Sequence, residues 1–581
     1  LQGARPGTGG LGGERVCLCG GRPMSPIERR RLRVPREHRS TLFRPSPDAL
    51  PALVERNRVL LASYDFRLAG RPFREVRAAA RAEIVALARN YTRGWGFEVP
   101  DWAEPKLLIV TGHQPRPYHP GVWIKNFLAG ELADAVGGVA LNLNVDNDEV
   151  HGQTVRLPTR DLTCRMGGDE VRTAEVELVS STAAVPYEEQ PASALRPEAV
   201  HEVLDLVPSP ELGDAFRRCW MHLLEVVPKA ANLAEALLVA RRRSEEAFGL
   251  ANLELPVSAL SDSAAFRLFL AEMLRRREDF FDAYNASLQE FRSAYHERNR
   301  AQPVPDLARD GRRAELPYWV WREAQRRRRL WIEPTSSGGL VLAADEEPIG
   351  CLAAEDLADP SVGAERLATL RESGWKIRPR ALSMTLFVRL CVGDVFIHGV
   401  GGALYDQIAD AIIERLFAVR PPELVVASCT VHLPLEAYRA TRDDLERARR
   451  AVRDWRHNPE RMLPPEVRRS DEARLLIEEK RRLTVTHGRD RRERRRTWDQ
   501  IRKINRRLAA LYPDGPDAAE RDLNRIERHL RYNAVLKNRE YPFSLYPADD
   551  LVAFYRDAVR ITRPSGAACG NRRELKPGES R

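Results

Sequence analysis

Residues 106–157, KLLIVTGHQPRPYHPGVWIKNFLAGELADAVGGVALNLNVDNDEVHGQTVRL, limit what this chain can fold into more than any other stretch. The short run 106–110 is apolar after its first residue, the pattern of a strand buried on both faces. Residues 111–120 then hold a Gly, two His, a Gln, an Arg and three Pro, a loop too polar and too broken to be mere connection. Val122, Phe127, Leu128, Leu132, Ala133 and Val136 recur at helical spacing, and Gly137-Gly138 ends that helix. Residues 139–145 form a second strand, with Asp146, Asn147, Asp148 and Glu149 just past its end. Strand, helix and strand in this order make a parallel pair with a crossover. Ligands of open parallel sheets bind at the carboxyl ends of the strands, where helix N-termini also point. Both polar loops fall there and define the expected site.

A second unit of the same order follows. Residues 388–397 hold two apolar runs broken by Gly393-Asp394, then come His398, Gly399, Gly401 and Gly402, a helix from 404 to 417 and a strand at 424–427. The expected fold class is therefore α/β, with a Rossmann-like doubly wound core, helical insertions and a C-terminal α-helical coiled coil. The expected division is a disordered leader at 1–40, a first half of the core with a helical preface at 41–185, and a helical insertion at 186–335. A second half of the core at 336–434, a coiled-coil helical domain at 435–540 and a docking segment with tail at 541–581 complete it. Residues 1–23 are Gly-rich and do not begin with Met, which makes Met24 a candidate start. Within the insertion, 263–298 is expected as one amphipathic helix. The segment LPYWVWREAQRRRRLWI at 316–332 is expected as strand, turn and strand with a solvated Arg turn; the alternative is Arg and Trp stacking on a base or gripping phosphate. Heptad spacing at Tyr438, Leu445, Ala448, Val452 and Trp455, and again at Trp498, Ile501, Ile504, Leu508 and Leu511, marks coiled-coil seams.

The 581 residues carry a net charge of +10, mostly through Arg, with 43% hydrophobic and 30% charged residues. That balance suits polyanions or small anionic substrates, and equally a GC-rich genome, the blander explanation. Eight Cys are scattered without a C-x-x-C pair, so neither a zinc ribbon nor a disulfide framework is expected. With no long apolar run, a cytoplasmic protein without a membrane partner is expected.

In the first loop, His113 can exchange a proton near neutral pH or donate to a phosphate or carboxylate. His119 opens the helix, whose free amide protons favour negative charge. Asp146 and Asp148 can bind a substrate amine, act as a base or hold a divalent ion, and His151 adds a borderline ligand. Without a defined third partner no metal is assigned. His398 is expected to face the same crevice, with Tyr405 one helical turn on.

VTGHQP, a helix, and a strand ending VDNDEV resemble the bacillithiol-biosynthesis cysteine-adding enzymes, in which a strand ends in a T-G-Q-Q loop and the next in an E-D-H-D-type cluster. GVGGALYDQ at 399–407 is similar to the family's glycine-rich turn followed by Tyr, and NREYPFSLYP at 538–547 to its closing segment. The resemblance implies a Rossmann-like core, dimerisation through the coiled coil, and the joining of cysteine to the amino group of a glucosaminyl malate. It places Thr111, Gly112 and Gln114 in the pocket loop, Asp146 and Asp148 in the acidic cluster, and Lys125, across a short gap, at the family's helix lysine. His113 stands where the family has Gln and Asn147 where it has His, and the family's Glu in the later turn is absent.

The expectation is thus a ligase-like enzyme in low-molecular-weight thiol biosynthesis, condensing an amino acid with the amine of a small anionic acceptor. His113, Asp146 and Asp148 are the expected catalytic residues. Thr111, Gly112, Gln114, His119, Lys125, Asn147, His151, His398, Gly399, Gly401, Gly402 and Tyr405 are the expected binding residues. Amide formation from a free carboxylate is uphill, so ATP is the natural cofactor, though no P-loop is present. A nucleotidylyl transferase using the 113–119 loop and an Arg-rich nucleic-acid-binding protein are the alternatives, with nucleic acid disfavoured.

Overall fold

The computed structural model describes residues 27–99, 107–150, 153–158, 172–179, 184–206, 210–485 and 490–562, with the pairs 18–19 and 22–23. The chain opens with β1 (Ser40–Arg44), α1 (Leu50–Ala62) and α2 (Phe73–Gly94), then runs β2 (Leu108–His113), α3 (Pro120–Val136) and β3 (Val139–Asn144). A small ribbon of β4 (Thr154–Pro158) and β5 (Thr173–Glu177) follows, and then α4 (Pro197–Leu206), α5 (Pro210–Val226) and α6 (Leu233–Glu246). Next come β6 (Leu253–Pro256), α7 (Val257–Ser261), α8 (Ala264–Arg275) and α9 (Arg277–Tyr295). Strands β7 (Arg313–Trp321), β8 (Arg328–Pro334), β9 (Leu340–Ala344), β10 (Glu347–Leu352) and β11 (Lys376–Pro379) precede α10 (Ala381–Phe387), β12 (Val395–His398), α11 (Val400–Phe417) and β13 (Val425–Thr430). Four long helices, α12 (Arg442–His457), α13 (Asp471–Val485), α14 (Arg491–Ala510) and α15 (Asp514–Leu536), lie towards the C-terminus.

The main sheet has the order β6-β3-β2-β12-β13-β1, parallel except for β1, which pairs antiparallel with β13. The protein is α/β, as its apolar strand runs require. Strand alternation divides the core. Leu108, Val110, Leu141, Leu143 and Phe396 pack towards α2, α8 and α11, whereas Ile109, Ala140, Val395, Ile397 and Ala427 pack towards α1, α3 and α6. The crossover helices α3 and α11 thus lie on opposite faces, and their parent strands β2 and β12 are neighbours. Such a divide is where an open sheet leaves a crevice.

Four expectations are corrected. Residues 186–335 are not a helical insertion: β6 forms one edge of the main sheet, and β7 to β11 build a second, antiparallel sheet that continues past 336. Glu254 in β6 hid that strand, because its buried carboxylate is paired with Arg241 at 2.7 Å. The helix at 263–298 is two helices, broken at Arg276. Residues 388–392 are not a strand but a π-helical turn continuing α10. Residues 27–40 are tethered to the body although largely exposed: the Ile27 amide donates to Glu290 at 2.8 Å and Thr430 Oγ1 to Pro35 O at 2.6 Å; most of the rest of the leader lies outside the described residues. Among the described residues, no helix is long and apolar enough to cross a membrane.

Candidate functional site

The first polar loop is built around a buried amine. Lys125, in the second turn of α3, is 3% exposed and its Nζ donates to the Gly112 carbonyl at 2.7 Å. Burial, reinforced by the Arg241 guanidinium, pushes its pKa down to about 7. Thr111 is fully buried, its Oγ1 donating to Ile397 O at 3.1 Å, so it ties β2 to β12 rather than facing a ligand. His113 packs edge-on against Tyr118, ring centroids 5.2 Å apart, with Nδ1 3.2 Å from Gln114 O. That contact requires the proton on Nδ1 and leaves Nε2 as the acceptor. Burial, then Lys125, holds its pKa down at about 3. The imidazole is therefore neutral at physiological pH, which corrects the expectation of proton exchange near pH 7.

The acidic run past β3 splits into three directions. Asp146 is 2% exposed and accepts from Ser258 N at 2.9 Å and Ser258 Oγ at 2.5 Å, anchoring α7 to the end of β3. Burial and the nearby Glu188 raise its pKa to about 7. It is a positioning group, not the expected catalytic carboxylate. Asn147 donates to Pro379 O at 2.8 Å, while its Oδ1 is buried without a hydrogen-bond partner. Asp148 alone faces outwards, its side chain 32% exposed. Its carboxylate accepts from Gln114 Nε2 at 3.1 Å and from Arg327 Nη1 at 2.9 Å. The structure thus brings Gln114 and Asp148 together, as the sequence leads one to expect.

Arg327 is the member the sequence did not reveal. Residues 316–332 do form strand, turn and strand, but Arg327 at the turn is not solvated. Its side chain is 13% exposed, reaches Asp148 and, at 3.3 Å, Glu149, and lies over the Trp319 ring at 4.7 Å. Arg380 lies over the same ring at 4.0 Å. The one sequence signal was the bracketing of the Arg run by Trp319 and Trp331.

The second turn does not join this cluster. His398, at the end of β12, is 8% exposed, stacks on Phe396 and sits 3.2 Å from Asp406 Oδ2 in the helix that follows, where Arg389 also pairs with Asp406 at 2.6 Å. Gly399 is the N-cap of α11, and Tyr405 is 42% exposed. Gly402 sits against the ring: a Cβ there would lie 2.8 Å from His398 Nδ1. His119 caps α3 itself, its Nδ1 accepting from Gly121 N at 3.1 Å, and burial and Arg539 hold its pKa down at about 4. That use corrects its expected role as a ligand group. His151 lies outside the described residues. Among those described, no three His, Cys, Asp or Glu side chains are grouped to hold a metal ion. No protein-family model matches the chain, and no curated protein matches it.

Proposed function

We propose that the chain is an amide-bond-forming enzyme that condenses an amino acid, with cysteine the candidate, with the amine of a small anionic acceptor such as glucosaminyl malate. The observation that carries this reading is the meeting of Gln114, Asp148 and Arg327 beside buried Lys125, at the carboxyl ends of β2 and β3. An incoming ammonium would replace Arg327 on Asp148, with Gln114 ordering the carboxylate. Arg327, so released, would take a substrate carboxylate through its planar fork. Lys125, with a pKa near 7, can accept the proton that the amine loses as it attacks. Neutral His113 offers its ring as a hydrogen-bonding wall. ATP would supply the activation that amide formation needs, and Arg327 is the cation that would meet its phosphoryl group. The resemblance to the bacillithiol cysteine-adding enzymes supports the same reading, with a Rossmann-like core and a coiled coil as its finer description.

The test is a thermal-shift panel with cysteine, glucosaminyl malate, ATP and their pairs, followed by mass spectrometry for the amide. Ligands of the native state raise the melting temperature by mass action. No shift with the sugar malate rejects that acceptor, and pyrophosphate release from ATP without amide product favours nucleotidylyl transfer. Leu475, Val485 and Trp498, at 69%, 75% and 52% exposure on α13 and α14, support pairing of two chains through these helices. Light scattering of Trp498→Glu tests it: a dimer in the parent and a monomer in the variant.

A further inference from the structure

At the carboxyl end of β13 a cavity of about 750 Å³ opens between the sheet, the arm at 33–36 and the segment following α15. Arg33, Arg36, Lys537, Arg539, His432 and Thr430 line it, and no carboxylate does. Arg33, Arg36 and Lys537 are exposed at its rim, while Thr430 is 2% exposed and Arg539 half-buried. None of the four Arg and Lys side chains makes an ion pair with a described carboxylate. Glu540, the acid beside Arg539 in sequence, pairs instead with Arg156 at 2.9 Å.

Arg539 is held in place by carbonyl and hydroxyl groups rather than by an ion pair with a described carboxylate. Its Nη2 donates to Cys429 O at 3.1 Å and Ser428 Oγ at 3.3 Å. A Cβ at Gly121 would overlap the guanidinium, so the glycine makes room for this cation at the first turn of α3. The arm is fixed as well, since Thr430 Oγ1 donates to Pro35 O at 2.6 Å and the His432 amide to His38 Nδ1 at 3.0 Å. Burial lowers the pKa of His38 and His432, with neighbouring cations adding to the effect. Four cations facing one cavity repel one another although Glu37 and Glu540 lie nearby, and a bound anion would relieve that repulsion. The volume falls within the range of small-molecule sites.

We infer that this cavity binds a small phosphate-bearing anion, with Arg539 as the inner contact and Arg33, Arg36 and Lys537 closing over it from the rim. Two or more negative charges match the cation count better than one carboxylate, and the guanidinium forks suit phosphate oxygens. Occupancy would also clamp the 27–39 arm onto the sheet. The inference rests on this cavity alone and not on the proposed condensation.

The experiment is calorimetric titration and thermal shift of the full chain with pyrophosphate and with inorganic phosphate, at ionic strength held constant with NaCl. The expected result is saturable one-to-one binding of pyrophosphate, weaker binding of phosphate, and no rise in melting temperature with NaCl alone. Arg36→Glu combined with Lys537→Glu changes exposed side chains that make no ion pair with a described carboxylate. It is expected to weaken pyrophosphate binding at least about tenfold, roughly 1.4 kcal/mol, without lowering the unliganded melting temperature. Absence of saturable binding, or binding that the double variant leaves unchanged, overturns the inference.

Discussion

The turn after β2 and the turn after β12 each place a histidine ahead of a helix on adjacent parallel strands, yet their polar groups are satisfied in different ways. After β12, His398 and Asp406 pair across one strand–helix unit, Arg389 joins Asp406 from the turn just before that strand, and the pairs are almost wholly buried. After β2, Lys125 reaches back to Gly112 within its own unit, but Gln114 bonds Asp148 beyond the neighbouring strand, and Arg327 arrives from the second sheet. A closed set of local pairs holds a fold together. Contacts shared between elements, with one carboxylate still open to solvent, leave groups that a ligand can take over.

The sharpest way to break this contrast is to delete one acid from each turn. Asp406→Ala leaves Arg389, 2% exposed, with Asp410 and the Pro422 carbonyl as partners, and is expected to lower stability by about 3–5 kcal/mol in a denaturant titration. Asp148→Ala is expected to cost under about 1 kcal/mol, because its pairs are partly exposed, while lowering turnover about 100-fold or more. Equal losses of stability would erase the distinction.

Acid titration sharpens it next. His113 has its folded pKa held down at about 3, so the stability it contributes is present above its ordinary value of 6.5 and is lost as pH falls through 3. His113 is partly rather than fully buried, which trims the effect to on the order of 2–4 kcal/mol. His113→Asn should flatten stability against pH in that window relative to the parent, leaving the share due to His119. An unchanged slope would mean that the ring is solvated.

A third comparison lies within the second turn. Gly402→Ala drives a methyl against His398 and should cost about 1–3 kcal/mol. Gly401→Ala meets nothing within 4 Å and should stabilise by up to about 1 kcal/mol in thermal melts. The last comparison is on Lys125. Lys125→Met should change stability by less than about 1.5 kcal/mol near pH 10.5, and gain relative to the parent as pH falls from 10.5 towards 7, because the unfolded parent then takes up a proton that the buried amine does not. Loss of turnover would accompany it.

The central unit was readable because Leu108 to Val110 and the helix of Val122 to Val136 obey simple periods, and because polar loops at strand ends have few other reasons to exist. What was not readable depended on partners far along the chain. Residues 388–392, VRLCV, carry the composition of a strand and yet continue a helix, since the buried Arg389 must meet Asp406 and Asp410. Asp146 and Asp148 are indistinguishable as sequence, and only the position of Ser258 decides which one turns inward. Among four consecutive Arg, nothing local marks Arg327 as the one that folds back over Trp319.

The antiparallel edge strand β1 has a consequence for how the chain matures. It covers β13, and the arm just before it is bonded to Thr430 across 395 residues. During synthesis the segment that seals this edge emerges well before its partner strand. Closing so long a loop is entropically costly and slow, so β13 reaches the sheet with its outer hydrogen-bonding groups unprotected. Until the early strand returns to this late-made partner, the nascent protein carries a temporary adhesive rim.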